Sequence, residues 1–511
     1  MANTLFDALF APHIGSNSPF LILPGGEQLS HADFASLAGR LALTLSALGV
    51  QKGDRVAVQV AKSPEALAIY AACIRIGAIL LPLNTAYTTE EMGYFIGDAE
   101  PVLVICDPLY QAGLQPIAAQ YGARLFTLGG QGGGSLLDAA AGLSGVAAVE
   151  HCAPQDLAAI LYTSGTTGRS KGAMITHQNL LSNAQVLADL WQFSADDTLL
   201  HALPIFHTHG LFVAVNVCLI AGSAMVFQPT FDAEAVLAAL PQATALMGVP
   251  TFYTRLLALP GLTQRATAHM RLFVSGSAPL LADTHRQFTQ RTGHRILERY
   301  GMTETNMNTS NPVDGDRKAG TVGLPLPGTE VSITDPVTGA LLAPGQIGMV
   351  EVRGPNVFAG YWHMPEKTAA ELRPNGFFIT GDLGQFDGDG YLTIVGRQKD
   401  LIISGGYNIY PKEIEAVIDE IAGVVESAVI GIPDDDFGEA VLAIVAVSDP
   451  GLTGEEILNA LRPRLARFKH PRQVILTPDL PRNAMGKVQK AILRATYCAS
   501  LRSETGGGWP N

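Results

Sequence analysis

Residues 157–172 read Leu-Ala-Ala-Ile-Leu-Tyr-Thr-Ser-Gly-Thr-Thr-Gly-Arg-Ser-Lys-Gly. The first five residues are apolar and have the length of a buried strand. The next eleven hold three glycines, a series of hydroxyls and a lysine. A strand that runs into a glycine-rich loop turns backbone N–H groups toward an anion; the hydroxyls add donors and the lysine adds charge. The stretch predicts a phosphate cradle made by Thr163, Ser164, Gly165, Thr166, Thr167, Gly168 and Lys171. It is not a Walker A loop, because Gly168 lies three residues before Lys171 and a glycine follows the lysine. By composition alone the same residues would also make a plain flexible connection.

Working outward, Arg55–Gln59, Val102–Cys106 and Ala158–Tyr162 read as strands, and 63–76 has helical spacing. The order is βαβα, which predicts an α/β fold with a largely parallel sheet covered by helices on both faces. The glycine-dense residues 129–135 read as a surface connection. Beyond about Gly323 the texture changes to strands separated by turn clusters, among them Gly348–Arg353 and Tyr391–Val395. Asp387-Gly388-Asp389-Gly390 reads as a turn between two strands, since it lacks the downstream ligands of a calcium loop. After Asp400 a compact α/β pattern begins, with helices at 412–420 and 455–465 and strands at 427–432 and 441–447.

The length of 511 residues predicts more than one domain and a large core. With 47% hydrophobic and only 15% charged residues, disorder is excluded for the bulk of the chain. Lys plus Arg number 33 against 46 Asp plus Glu, a net charge of −13, so neither nucleic acid nor an anionic membrane surface is expected as the main partner. The C-terminal part runs against that balance. Between Arg462 and Arg494 nine basic residues face one acid, Asp479, which fits either a solvated face or a phosphate-rich ligand. The five cysteines are scattered without CxxC spacing, so neither a zinc site nor a disulfide framework is expected. Met1–Gly15 lacks a basic leader pattern. The apolar stretch 211–227 is interrupted by Asn216, Gly222 and Ser223, and predicts a buried strand–helix segment, not a membrane span. A cytoplasmic protein is the expectation.

Four further segments follow in order: Arg299-Tyr300-Gly301-Met302-Thr303-Glu304, Thr380-Gly381-Asp382, Gly396-Arg397-Gln398-Lys399-Asp400 and Pro481-Arg482-Asn483-Ala484-Met485-Gly486-Lys487. Together with 162–172 they resemble the signatures of the adenylate-forming superfamily, over nearly the whole chain. The resemblance implies a large N-terminal domain of layered sheets and helices (1–398), a hinge at 399–400 with Lys399 at its centre, and a small mobile α+β C-terminal domain (401–511). It implies ATP and coenzyme A as co-substrates, with Mg²⁺ as cofactor. Glu304 would be the magnesium ligand and Thr303 would contact the α-phosphate. Tyr300 and the Ser277-Ala278-Pro279 segment would wall the adenine pocket, and Asp382 and Arg397 would hold the ribose. Lys487 would stabilise the charge that develops on adenylation. Rotation of the small domain would then admit the thiol for the second half-reaction. Lys399 stands where many relatives have Asp.

For the acid, Ile205-Phe206-His207-Thr208-His209-Gly210 and Gly248-Val249-Pro250-Thr251-Phe252-Tyr253-Thr254-Arg255 matter most. A His-x-His pair without a third ligand signal makes a metal site a poor reading. Thr251 and Arg255, four apart on a helix, share a face. An arginine on an otherwise apolar helix of an acyl pocket fits an acid with a second carboxylate, which guanidinium binds bidentately. These segments, with 274–279 and Gly301–Ser310, resemble malonyl-CoA synthetases. That resemblance implies Arg255 and Ser277 on the distal carboxylate, His207 near the reacting one, Thr208 and Met307 around the central carbon, and malonate or methylmalonate as the acid. A ligase for another short-chain or aryl acid, or an adenylation enzyme that loads a carrier protein, stays open. The oligomeric state is not legible.

Overall fold

The computed structural model describes residues 3–163, 170–405, 407–434, 437–483 and 486–504, with side chains of the last helix through Cys498. Ser164, Gly165, Thr166, Thr167 and Gly168 of the expected cradle therefore lie outside the described residues, as do Ala484 and Met485.

The N-terminal half builds two sheets. In the first, Arg124–Thr127, Leu103–Cys106, Arg55–Gln59, Ile79–Pro82 and Leu157–Thr163 are parallel neighbours, and Lys171–Thr176 closes the edge antiparallel to the last. Thr163 and Lys171 are direct cross-strand partners. The second sheet has nine strands. Its six central members, Leu297–Met302, Leu272–Ser275, Ala245–Gly248, Thr198–His201, Ala224–Phe227 and Pro19–Ile22, are all parallel. The helix Pro64–Ile76 is buried almost all round. Its start is set by the Ser63 side chain, which accepts from the Ala66 N–H, and by Pro64; it ends at Gly77 in the left-handed region. This is the α/β layering expected from the alternating pattern.

The 211–227 stretch is buried as expected but in the opposite order. A π-helix, His209–Val215, leads into the helix Asn216–Ala221 and then the strand Ala224–Phe227. Gly222, in the left-handed region, is the break that the sequence marks. No helix among the described residues is long and apolar enough to cross a membrane.

A third, antiparallel sheet follows: Glu330–Thr334, Gly348–Arg353, Phe378–Phe386 and Leu392–Arg397. Asp387–Gly390 is its tight turn. From Ile402 the chain makes a smaller unit with its own five-stranded sheet. The long hairpin of Val424–Asp434 and Gly438–Val447 is flanked by Gln473–Thr477 and by the short strands Ile402–Ser404 and Tyr407–Ile409. Each face of this sheet has an apolar cluster. One is built on Ile409, Ile414 and Ile457, the other on Ile430, Leu480 and Leu493. The turn Gln398–Asp400 joins this unit to the larger one.

Candidate active site

Parallel strands of an open sheet deliver their following loops to one edge, outside their carboxyl ends. Here His207 and His209 follow Thr198–His201, Pro250 follows Ala245–Gly248, Ser277 follows Leu272–Ser275, and Glu304 follows Leu297–Met302. The sequence-predicted residues thus converge because their strands are neighbours.

The lining of this edge is polar and unsatisfied. Among the described residues, His207 Nδ1, Thr208 Oγ1, His209 Nε2, and Nε and Nη2 of Arg299 are buried without a hydrogen-bond partner. Buried polar groups are ordinarily paired, so a cluster of orphans at one edge marks a place that a polar ligand completes. His209 reaches Ser277 Oγ at 3.2 Å, and Ser277 is held in the left-handed region at φ 70°. Burial, with Lys487 and Arg299 nearby, pushes His207 down to about 3, so it is neutral at physiological pH. The π-helix that carries His209 is buttressed from behind. His201 Nε2 contacts the Gly210 carbonyl at 2.8 Å, and the Lys62 ammonium sits 2.7 Å from His201 Nδ1.

Arg299 is the residue that the sequence reading gave no role. It is 3% exposed, on a strand that continues the parallel sheet, and burial lowers its guanidinium to about 9. Gly276 lies against it, and a Cβ there would force the guanidinium to shift. The helix Pro250–Leu257 turns Tyr253 inward, where its hydroxyl donates to the Val274 carbonyl at 2.6 Å, and this leaves Arg255, two residues on, exposed. Arg255 lies on the wall of a cavity of about 540 Å³ that it shares with Phe206, Thr251, Asp479, Arg482 and Asn483. Arg255 thus lines a cavity together with Thr251, four residues before it on the same helix, while Arg299 is a second and more deeply buried guanidinium. Met307 is buried, 2% exposed, on the strand antiparallel to that of Arg299.

A second group of residues comes from the third sheet. Asp382 and Arg397 are cross-strand partners, and Arg397 Nε lies 2.6 Å from Asp382 Oδ1. The Tyr300 hydroxyl donates to Asp382 Oδ2 at 2.5 Å. One carboxylate thus receives a guanidinium and a phenol in a pocket where Asp382 is 3% exposed. Ala278 is half-buried and Pro279 exposed in the turn after Ser277, and Thr303 is half-buried in the turn before Glu304.

Glu304 is buried, and burial raises its carboxyl above the usual range. Its Oε1 accepts from the Tyr361 hydroxyl at 3.1 Å and from Thr163 Oγ1 at 3.4 Å. No ammonium or guanidinium among the described residues is in direct contact with it. A buried hard-oxygen ligand that lacks a direct cationic partner fits Mg²⁺, which is held by one or two carboxylates plus substrate phosphates. Lys171 is close by, with its ammonium 4.1 Å from the Tyr361 ring centre and 3.4 Å from Glu371 Oε2.

Lys487 arrives from the small unit on a tight turn. The Lys487 N–H donates to Asn483 Oδ1 at 3.0 Å, Asn483 N–H donates back to the Lys487 carbonyl at 2.9 Å, and Arg482 donates to the Gly486 carbonyl at 2.8 Å. Gly486, at φ 73°, lies against Thr251, since a Cβ there would be 3.3 Å from Thr251 Oγ1. Lys487 is exposed as a residue; its ammonium feels the charges of Arg397, Asp382, Arg299 and Glu304, and burial lowers it to about 8. Lys399 is exposed in the connecting turn, whose Asp400 pairs with Arg494 at 2.8 Å. On the outer face of the small unit, Tyr407 and Phe468 stack at 4.7 Å, and the Arg472 guanidinium lies 5.3 Å from the Phe437 ring centre.

Residues 14–362 match the AMP-binding enzyme family, and residues 413–487 match the AMP-binding enzyme C-terminal domain. The crystal structure of ATP-bound MatB from Rhodopseudomonas palustris is 57% identical, with a TM-score of 0.94 over 97% of this chain and 99% of that one. Among curated relatives, a malonate–CoA ligase of Arabidopsis thaliana is 35% identical over 87% of this chain and 78% of its own length. A feruloyl-CoA synthase of an Amycolatopsis species is 36% identical over 93% and 95%. With both domain matches in chain order and the signature residues gathered at one edge, the chain belongs to the AMP-binding, adenylate-forming enzyme family.

Proposed function

We propose that this AMP-forming acid–thiol ligase joins malonate to coenzyme A through malonyl-adenylate, giving malonyl-CoA, AMP and pyrophosphate. The observation that carries the choice of acid is Arg299. Its guanidinium is buried beside the Lys487 ammonium with two nitrogens unpartnered. A monocarboxylate would leave that charge unpaired in a desolvated site, whereas a dicarboxylate supplies its counter-ion. Its likeness to MatB, a malonyl-CoA synthetase, and to the malonate–CoA ligase supports the same reading. The feruloyl-CoA synthase is about as similar as the latter, so overall identity to the curated relatives does not select the acid and the pocket chemistry must.

In this reading the distal carboxylate of malonate rests on Arg299 and Ser277. Thr208 and Met307 flank its central carbon, neutral His207 lies at the reacting carboxylate, and Arg255 stands at the mouth as a second, solvent-screened cation. Asp382 accepts the ribose hydroxyls, with Arg397 holding it in place. Tyr300, Ser277, Ala278 and Pro279 wall the adenine. Thr163, Lys171 and the loop 164–168 take the phosphates, with Thr303 at the α-phosphate. Glu304 would hold Mg²⁺, which when bound neutralises phosphate charge. Attack by the near carboxylate on the α-phosphorus forms the mixed anhydride and expels pyrophosphate. Lys487 offsets the negative charge that gathers on the oxygens between them.

In this reading the Lys487 ammonium, among the charges of Arg299, Asp382 and Arg397, and the thiol need the same reacting carbonyl. We therefore assign residues 1–398 and 401–511 to two bodies that pivot at Lys399–Asp400 between half-reactions, with the Asp400–Arg494 pair across the pivot. The exposed aromatic rings of Tyr407, Phe468 and Phe437, with Arg472 among them, suit the nucleotide end of coenzyme A. Pyrophosphate release measured with malonate, methylmalonate, succinate, acetate and ferulate, with and without coenzyme A, tests the assignment. Malonate should give the highest kcat/KM, and preference for a monoacid would refute it.

A further inference from the structure

The phosphate-side lysine and the magnesium-side carboxylate are joined through a residue that no sequence motif marked. Glu371 closes the short helix Pro365–Glu371. Its Oε2 accepts from the Tyr361 hydroxyl at 2.7 Å and faces the Lys171 ammonium at 3.4 Å, while its Oε1 meets Lys367 at 2.6 Å. The same Tyr361 hydroxyl lies 3.1 Å from Glu304 Oε1, so its one proton is shared between the two carboxylates with Glu371 the nearer, and its ring lies beneath Lys171. The Lys171 side chain is 15% exposed and that of Glu371 23%. Burial disfavours the Glu371 carboxylate, yet Lys367, Tyr361 and Lys171 together hold it below its ordinary range.

We propose that Glu371 is the internal competitor for Lys171, pairing with it when the phosphate site is empty and so hastening the departure of pyrophosphate after adenylation. The inference rests on the reading that Lys171 contacts the transferred nucleotide's phosphates. Without Glu371, a largely enclosed ammonium would be left unpaired whenever pyrophosphate leaves, and the anion would be held more tightly. With it, the ammonium passes from one anion to another. Glu371 gives up little in the exchange, because Lys367 and Tyr361 stay bonded to it when Lys171 turns away. Its effect is thus on the bound-to-free balance of a leaving group and not on the chemistry of bond formation.

The test uses the full chain and magnesium pyrophosphate as the probe, by calorimetric titration and by pyrophosphate inhibition against ATP. Glu371→Gln keeps the shape and an acceptor for Tyr361 but removes the charge. A pairing of this exposure is worth on the order of 1 kcal/mol, so pyrophosphate should bind Glu371→Gln about fivefold more tightly, with the inhibition constant lowered to match. The sign is diagnostic, since a merely structural role would loosen the site. Lys171→Met should weaken pyrophosphate binding, and Lys171→Met/Glu371→Gln should behave as Lys171→Met alone. If Lys171→Met weakens binding while Glu371→Gln leaves it unchanged or weaker, the competitor role is wrong and the phosphate reading stands. If Lys171→Met has no effect on pyrophosphate, both fall.

Discussion

Replacing Arg299 by Met removes a guanidinium whose Nε and Nη2 have no partner among the described residues and whose side chain is almost wholly enclosed. Two effects of opposite sign follow. In the free enzyme the substitution relieves an uncompensated buried charge, whose cost is visible in the lowering of its ionisation to about 9. Exchanging such a charge for an apolar side chain of similar length leaves the ligand-free protein as stable or more stable, by about 1–3 kcal/mol. In the complex the same change strips malonate of its counter-ion and leaves a carboxylate desolvated. Truncating one partner of a buried charge pair costs about 2–5 kcal/mol, which lowers kcat/KM for malonate by roughly 10²–10³-fold. The assays are malonate-dependent pyrophosphate release and thermal melting without ligands, with ATP–pyrophosphate exchange on butyrate as a control. The melting temperature should hold or rise while malonate activity collapses and the monoacid gains ground relative to it. Unchanged malonate kinetics would refute the reasoning. A melting temperature that falls together with activity would show instead that Arg299 is structural.

Gly276→Ala should produce a milder form of the same defect, because the added methyl displaces the guanidinium without removing it; a raised KM for malonate with KM for ATP unchanged is the expected result. Arg255→Leu should raise the KM for malonate by no more than about tenfold, since an exposed cation is screened; a larger loss than that of Arg299→Met would reverse their roles. Lys487 is lowered to about 8 by burial. It is therefore charged below that pH and neutral above it, so adenylation kcat/KM should fall as pH rises through about 8, whereas thioester formation from supplied malonyl-adenylate should show no such limb. His207, pushed down to about 3, should contribute no inflection between pH 5 and 8. Lys487→Ala should abolish the first half-reaction and spare the second, and equal loss of both would count against its role.

Much of this was legible in the sequence because the information is local. The strand 157–163 and the turn at Asp387–Gly390 each carry their own signal within a few residues. The convergence of His207, Ser277 and Glu304 was legible only through the family resemblance, since it depends on which strands become neighbours. Arg299 was missed although it stood beside a quoted motif. A signal existed: Glu298 and Arg299 are charged residues in the buried first half of the strand Leu297–Met302, and buried parallel strands are normally apolar throughout. Helical spacing did place Thr251 and Arg255 on one face, and both line the same cavity; it does not tell how exposed that face is. Glu371 had no signal at all, since its partners Lys171 and Tyr361 are distant in sequence or belong to another turn. The π-helix at His209–Val215 likewise has no composition of its own, and is fixed by the buried Lys62–His201–Gly210 contacts.

The most direct measurement incubates the purified protein with isotopically labelled malonate, ATP, Mg²⁺ and coenzyme A and identifies the products by mass. Malonyl-CoA, AMP and pyrophosphate should form in equal amounts, with malonyl-adenylate accumulating when the thiol is withheld. Failure to consume malonate under conditions where a monocarboxylate is converted to its thioester would contradict the account.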